Sequence, residues 1–234
     1  MTKKNLFWLM LALSIVTTAS ITTSCGGGKD KPEEETPTNP AVSTVLTDSV
    51  TPADSATIDA GVIINGVKWA TRNVDEPGKF AATAESTGKF FQWNRKTAWS
   101  AESKTVENWD TTVPKGTEWA AANDPSPAGW RVPALAEIQK LCDTEKVTEE
   151  WTTQNGVKGR LFTDKSTNNT LFLPAAGYHY SSNGDLYNVG TFGYYWSSTQ
   201  GDGIYAYRLV FGSIYAGWTN GTRRYGQSLR PVAE

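Results

Sequence analysis

Apolar and other residues alternate through residues 61–69 around Asn65-Gly66, a tight-turn dipeptide between alternating runs, and this predicts a β-hairpin. Residues 88–99, with Phe90, Phe91, Trp93 and Trp99, are assigned a short helix or helical turn. Residues 109–127 are rich in Asn, Asp, Pro and Ala and read as a long ordered loop. Leu135, Ile138, Leu141 and Cys142 then fall on one stripe, the spacing of an amphipathic helix. Pro133 opens it, as the first helical turn tolerates proline, and the helix is expected to run to about Asp143. Strands follow at 157–162 and 170–173, joined by the turn-rich 164–169, with an apolar run 171–177 ending in small residues. A tight turn is expected at Asn183-Gly184, further strands at 194–198 and 206–211, and a closing strand at 228–232. Between these lie 201–205 and 212–222, segments of small, polar and aromatic residues. Hairpin, helical part, helix and then strands imply an α+β fold with one mixed or antiparallel sheet and long ordered loops.

The first sixty residues read differently. Lys3 and Lys4 precede an apolar run, 6–16, that is short for a membrane span and suits a signal peptide over 1–24. It ends at Thr22-Thr23-Ser24-Cys25, which resembles a bacterial lipobox with Thr22 in place of the usual leucine. Cys25 is then the lipidated residue; ordinary secretion is the alternative. Residues 25–60 carry Gly26, Gly28, a charged run at 29–35 and Pro37, Pro40 and Pro52. That composition offers too little apolar surface to offset the entropy of ordering, so the segment reads as a disordered tether. The folded domain is expected over 61–234. The acidic cluster after Cys25 resembles the export tag of Bacteroidetes lipoproteins, which implies a protein at the cell surface on the outer membrane, held through its lipid; a solvated charge run is the alternative reading.

Net charge is −2, so no global field attracts nucleic acid. With Cys25 lipidated only Cys142 is left; no internal disulfide can form, and Cys142 is read as a small buried hydrophobe.

Several segments carry a family resemblance: residues 61–74, Phe91-Gln92-Trp93, Gly129-Trp130-Arg131-Val132-Pro133, Pro174-Ala175-Ala176-Gly177-Tyr178, and Tyr195-Trp196-Ser197-Ser198-Thr199. Near the end, Ala206-Tyr207, Leu209 and Phe211 precede Arg223, Gly226, Ser228, Arg230 and Val232. In this order they resemble the Fibrobacter succinogenes major paralogous domain, over about residues 61–232. The resemblance implies a C-type-lectin-like fold with two helices, termini close together and a long loop region carried by a sheet. It also implies a surface lipoprotein that binds a protein or glycan rather than an enzyme. Some relatives of that fold are variable proteins rewritten by diversity-generating retroelements.

Catalytic constellations are not apparent. His179 is the only histidine, between Tyr178 and Tyr180, and reads as a surface or packing residue. Glu149 and Glu150 are adjacent and point apart on a helix or strand, so they form no acid–base pair. Glu76-Pro77-Gly78 and Asn108-Trp109-Asp110 differ in order from the calcium-binding tripeptides of lectins. No metal and no cofactor is expected; calcium-free glycan binding stays open.

The candidate binding face is therefore C-terminal. On the strand 206–211, Tyr207, Leu209 and Phe211 are assigned to the core with Trp196, and Ala206, Arg208 and Val210 to the opposite side. The expected contact residues are Asp202, Ile204, Tyr205, Arg208, Tyr215, Trp218, Thr219, Asn220, Thr222, Arg224 and Tyr225. Tyr and Trp supply contact area at low entropy cost, and small polar residues adapt around them. Residues 201–226 contain no Lys, Glu, Gln or Met, as adenine-directed mutation of an Asn codon would require; Trp218 departs from that rule. The alternative function is a structural or adhesive subunit of a surface assembly, such as a pilus tip, docking through the same face.

Overall fold

A computed structural model describes residues 56–234. The expected signal peptide, the expected lipidation site Cys25 and the expected tether up to residue 55 lie outside the described residues. The chain runs β1 (Val62–Ile64), β2 (Val67–Trp69), β3 (Lys89–Phe91), β4 (Ala98–Ser100), a short 3-10 turn at Ala121–Asn123, β5 (Trp130–Arg131) and α1 (Leu135–Leu141). It continues through β6 (Val147–Gln154), β7 (Val157–Asp164), β8 (Thr170–Pro174), β9 (Tyr178–His179), β10 (Leu186–Tyr187), β11 (Gly193–Gln200), β12 (Tyr205–Phe211), β13 (Ala216–Thr222) and β14 (Val232–Ala233).

The expected α+β class with two helices is overturned. Among the described residues 39% are in strand and 6% in helix, α1 is the one α-helix, and the strands form five small sheets. The C-type-lectin-like architecture implied by the resemblance falls with it. Three segments account for the difference. Residues 88–99 are a hairpin, β3 paired with β4, whose turn places Asn94 at φ 56°; Phe90 and Phe91 lose less side-chain freedom extended than helical. Residues 147–154 form β6, which pairs along its length with β7 across Asn155-Gly156. The stretch 212–222, expected to be loop, contains β13, which pairs with β12 from Tyr205↔Thr222 to Phe211↔Ala216.

Other elements lie where the sequence places them. Asn65 and Gly66 have φ of 45° and 75°, the paired left-handed conformations of a type I′ turn, and close β1 on β2. In α1, Ile138 and Leu141 are buried and Cys142 packs against the same cluster, where burial pushes its thiol up to about 12. The helix begins after Ala134, whose N–H donates to Glu137 Oε2 at 2.7 Å. Arg131 grips that carboxylate with two hydrogen bonds of 2.7 and 2.9 Å. Glu149 pairs with Arg160 at 3.1 Å while Glu150 is exposed. Packing also reaches back past the expected start at 61: Ala56 O accepts from Phe80 N–H, and the Asp59 carboxylate accepts from Gly61, Thr71 and Arg72.

The sheet β11-β12-β13 is the centre of the domain. One face carries Tyr195, Leu209 and Phe211 into a core shared with Ile64, Trp69, Ile138 and Phe162. Rings of Tyr195 and Phe211 stack at 5.8 Å. The other face carries Trp196 and Ala206 into a second core with Phe91, Trp93, Trp119 and Leu229. Trp196 therefore lies opposite Leu209 and Phe211, not beside them, because it pairs with Arg208 in register and antiparallel partners share a face. Tyr207 is only half-buried, while Ala206 and Val210 are buried.

Candidate functional site

Two backbone arrangements bring distant tyrosines together. β9 is pinned by His179, whose N–H donates to Gly226 O at 2.8 Å and whose carbonyl accepts from Gly226 N–H at 3.1 Å. Strand alternation then turns His179 inward and Tyr178 and Tyr180 outward. His179 is fully buried between Phe90 and Trp109, with Nε2 2.7 Å from Ser100 O. Burial pulls its pKa below the ordinary value, against the opposing effect of the Ser100 carbonyl. Across β9, Tyr187 of β10 stands opposite Tyr178. Gly177, at φ 75°, permits the bend into β9; a Cβ there would lie 2.2 Å from Tyr187 O.

The result is a continuous ring. Tyr178 lies 4.8 Å from Tyr194, 5.1 Å from Tyr225 and 6.1 Å from Tyr187, centroid to centroid. Tyr180 closes it at 5.8 Å from Tyr187 and 5.9 Å from Tyr225. Tyr180 and Tyr187 are 39% and 45% exposed, so the ring opens on solvent. Burial raises the phenol pKa values of Tyr178 and Tyr194, which keeps both neutral and able to donate.

Arg208 enters this ring from β12. Its guanidinium carbon lies 5.0 Å from the Tyr194 ring centroid and 5.3 Å from that of Tyr225, within the range of cation–π attraction. Gly221, directly opposite Ala206 on β13, leaves room for it: a Cβ at Gly221 would fall 2.7 Å from Arg208 Cζ. Burial lowers the guanidinium pKa, opposed by the neighbouring tyrosines Tyr194, Tyr225, Tyr178 and Tyr215. Nε and Nη1 are buried without a hydrogen-bond partner, leaving Nη2 as the nitrogen that reaches solvent.

Each of the other arginines has at least one protein acceptor, although Nε of Arg160 and of Arg224 is also buried without a partner. Arg230 donates to Asn73 Oδ1 and to the carbonyls of Ala70 and Ala84. Arg223 donates to the carbonyls of Tyr205, Pro114 and Gly116 and to Gln200. Arg160 donates to Gly212 O, and Arg72, Arg95, Arg131 and Arg224 also have acceptors.

Residues 147–232 match the family model described as Domain of unknown function (DUF8237). That stretch contains the whole tyrosine ring and Arg208. No curated protein and no solved structure matches the chain.

The expected contact residues do not form one face. Arg208 and Thr219 are register partners on the ring side, and Tyr225 belongs to the ring itself. Exposed Tyr215 precedes β13, close enough to act electrostatically on Arg208 and Tyr194. Tyr205, Trp218, Asn220 and Thr222 alternate to the opposite side, where Trp218 pairs with Leu209. Tyr205 and Trp218 are exposed there, but Thr222 is buried. Asp202 and Ile204 are exposed in the β11–β12 turn, and Arg224 leans on Thr111 O. Tyr178, Tyr180, Tyr187 and Tyr194 were missing from the sequence-based set. The available signal was the alternation Tyr178-His179-Tyr180, with the histidine turned inward. Among the described residues no group of three His, Cys, Asp or Glu side chains gathers as a metal site would.

Proposed function

We propose that this is an exported, lipid-anchored surface protein whose domain binds a protein or glycan ligand through the tyrosine ring around Arg208. One observation carries the reading: an arginine held against half-buried Tyr194 and Tyr225 with no protein acceptor, beside a ring that opens on solvent at Tyr180 and Tyr187, in a chain that supplies acceptors to its other arginines. Nη2 is the nitrogen open to solvent, and a ligand oxygen there would gain a charge-assisted hydrogen bond that the protein itself does not supply. Rigid tyrosines around such a group suit recognition, since aromatic and Arg anchors dominate binding energy.

The test is a screen of the domain against surface proteins and glycans, followed by titrations of Tyr180→Ala, Tyr187→Ala and Tyr225→Ala. The expected result is a large loss of affinity with melting midpoints near that of the parent. Unchanged binding by all three variants would sink the reading. For the anchor, Cys25→Ala is expected to leave the membrane fraction; retention there would reject lipidation at this residue.

A second reading, a subunit of a surface assembly, draws on β13. It is an edge strand paired on one side by β12, beside Ile214, which is 91% exposed, and an open edge can accept another strand. Self-association measured by light scattering, abolished by a proline on β13, would favour it. Retroelement diversification, proposed for exposed positions such as Asp202, Tyr215 and Asn220, requires a near-copy of the 3′ coding sequence beside a reverse-transcriptase gene, differing only at adenines.

A further inference from the structure

Resting on the binding reading above, we propose that the ligand is a glycan bearing carboxylates, in the form of uronic or sialic acid residues. Its carboxylate meets the guanidinium of Arg208, and its pyranose rings lie on the surrounding phenols.

Among the described residues no carboxylate lies within ion-pair distance of Arg208, whereas Arg72, Arg95, Arg131 and Arg160 each have one and Arg223, Arg224 and Arg230, which also lack one, have neutral acceptors that Arg208 does not. A guanidinium that is largely desolvated and uncompensated favours an incoming anion, because charge-assisted hydrogen bonds are about twice as strong as neutral ones. The Tyr194 and Tyr225 rings and the space over Gly221 fix the guanidinium before any ligand arrives, which reduces the ordering cost of binding.

The surroundings favour a sugar over an acidic peptide. A pyranose presents weakly positive C–H edges on one side, and these suit the negative faces of aromatic rings. Tyrosine hydroxyls around the ring supply donors and acceptors for sugar hydroxyls. An extended peptide, by contrast, gains much of its affinity by pairing with a free strand edge. The strands that carry Tyr178 and Tyr187 have their edges occupied: β9 lies between β10 and Gly226, and Leu186 N–H of β10 donates to Lys104 O; the open edge of β13 has its outer residues Trp218 and Asn220 turned away from the ring.

Titration of the domain with an oligogalacturonide, its methyl ester, a sialylated oligosaccharide and a poly-glutamate peptide decides the matter. The acidic sugar is expected to bind at least about tenfold more tightly than its ester, the loss typical of one charged hydrogen bond. The preference should weaken as salt rises. Whichever of the two acidic sugars binds identifies the source of the carboxylate. Arg208→Met should reduce affinity for the acid to that for the ester. Gly221→Ala should do the same by displacing the guanidinium, and it covers the case in which Arg208→Met folds poorly. Equal binding of acid and ester by the parent domain overturns the inference and leaves the ring as a neutral binding face. Binding of poly-glutamate alone also overturns it, as does binding of no sugar. The broader binding reading is lost only if, in addition, the tyrosine variants leave every ligand found in the screen bound as before.

Discussion

Arg230 and Arg208 are both largely withdrawn from water, yet their surroundings were built on opposite plans. Around Arg230 the chain supplies a side-chain amide and two backbone carbonyls, and the residue joins the end of the chain to the turn after β2. Burial lowers its pKa to about 10, which still leaves it charged at neutral pH. Around Arg208 the chain supplies ring faces and empty space. A cation given acceptors on every side is a fastening. A cation given only π-faces is held in place with its strongest interaction still unmade. The contrast separates residues that stabilise this fold from residues that keep a surface ready.

The largest effect is expected at Arg230. Arg230→Met would strand Asn73 and two carbonyls, and stability in urea should fall by about 3 kcal/mol, the upper range for a hydrogen-bonded charge. A loss under about 1 kcal/mol would erase the contrast.

Next comes His179, which underlies the ring. Its folded pKa is lowered, mainly by burial, so the unfolded chain takes up the proton first as pH falls. The stability it contributes is present above the unfolded value of about 6.5 and is lost as pH drops below it, by at most about 1.4 kcal/mol per pH unit. Denaturation at pH 7 and pH 5 should show this slope, and His179→Phe should flatten it. An unchanged slope would mean that the histidine is protonated without cost.

Arg208→Met is expected to change stability by less than about 1 kcal/mol in either direction, since the loss of the cation–π contacts to Tyr194 and Tyr225 is offset by the removal of two buried unpaired donors. A loss as large as that of Arg230→Met would make Arg208 a second fastening. The smallest effect belongs to Tyr187→Ala, within about 0.5 kcal/mol as for other surface changes, measured by the same urea titration.

Local signals in the sequence were read correctly where they act locally. Asn65-Gly66 marks the first hairpin because both residues tolerate positive φ, and the 135–142 stripe marks the helix because a solvated helix buries one side. The same Asn-Gly signature stands at 155–156, where it turns β6 into β7. β13 was hidden: Ala-Gly-Trp-Thr-Asn-Gly-Thr has weak strand propensity, and its Gly221 serves the side chain of Arg208 rather than a turn. The ring was legible only in part. Arg208 and Tyr225 stood out from the C-terminal pattern, but Tyr178, Tyr187 and Tyr194 join them through β9, β10 and Gly226, pairings that no single stretch of sequence announces. Assigning Trp196 to the side of Leu209 failed because the register of β11 on β12 had to be known first.

The pairing of Val232 with both Trp69 and Arg131 has a kinetic consequence. β14 sits between β2 and β5, so the sheet that contains the first hairpin stays incomplete until the far end of the domain returns to it. Closing so long a loop costs entropy before the contacts repay it, and domains dominated by such distant pairings fold in milliseconds to seconds rather than microseconds. Until β14 arrives, the facing edges of β2 and β5 are unpaired and open to pairing with a neighbouring chain. Any state of this domain in which β14 is undocked therefore exposes two strand edges at once.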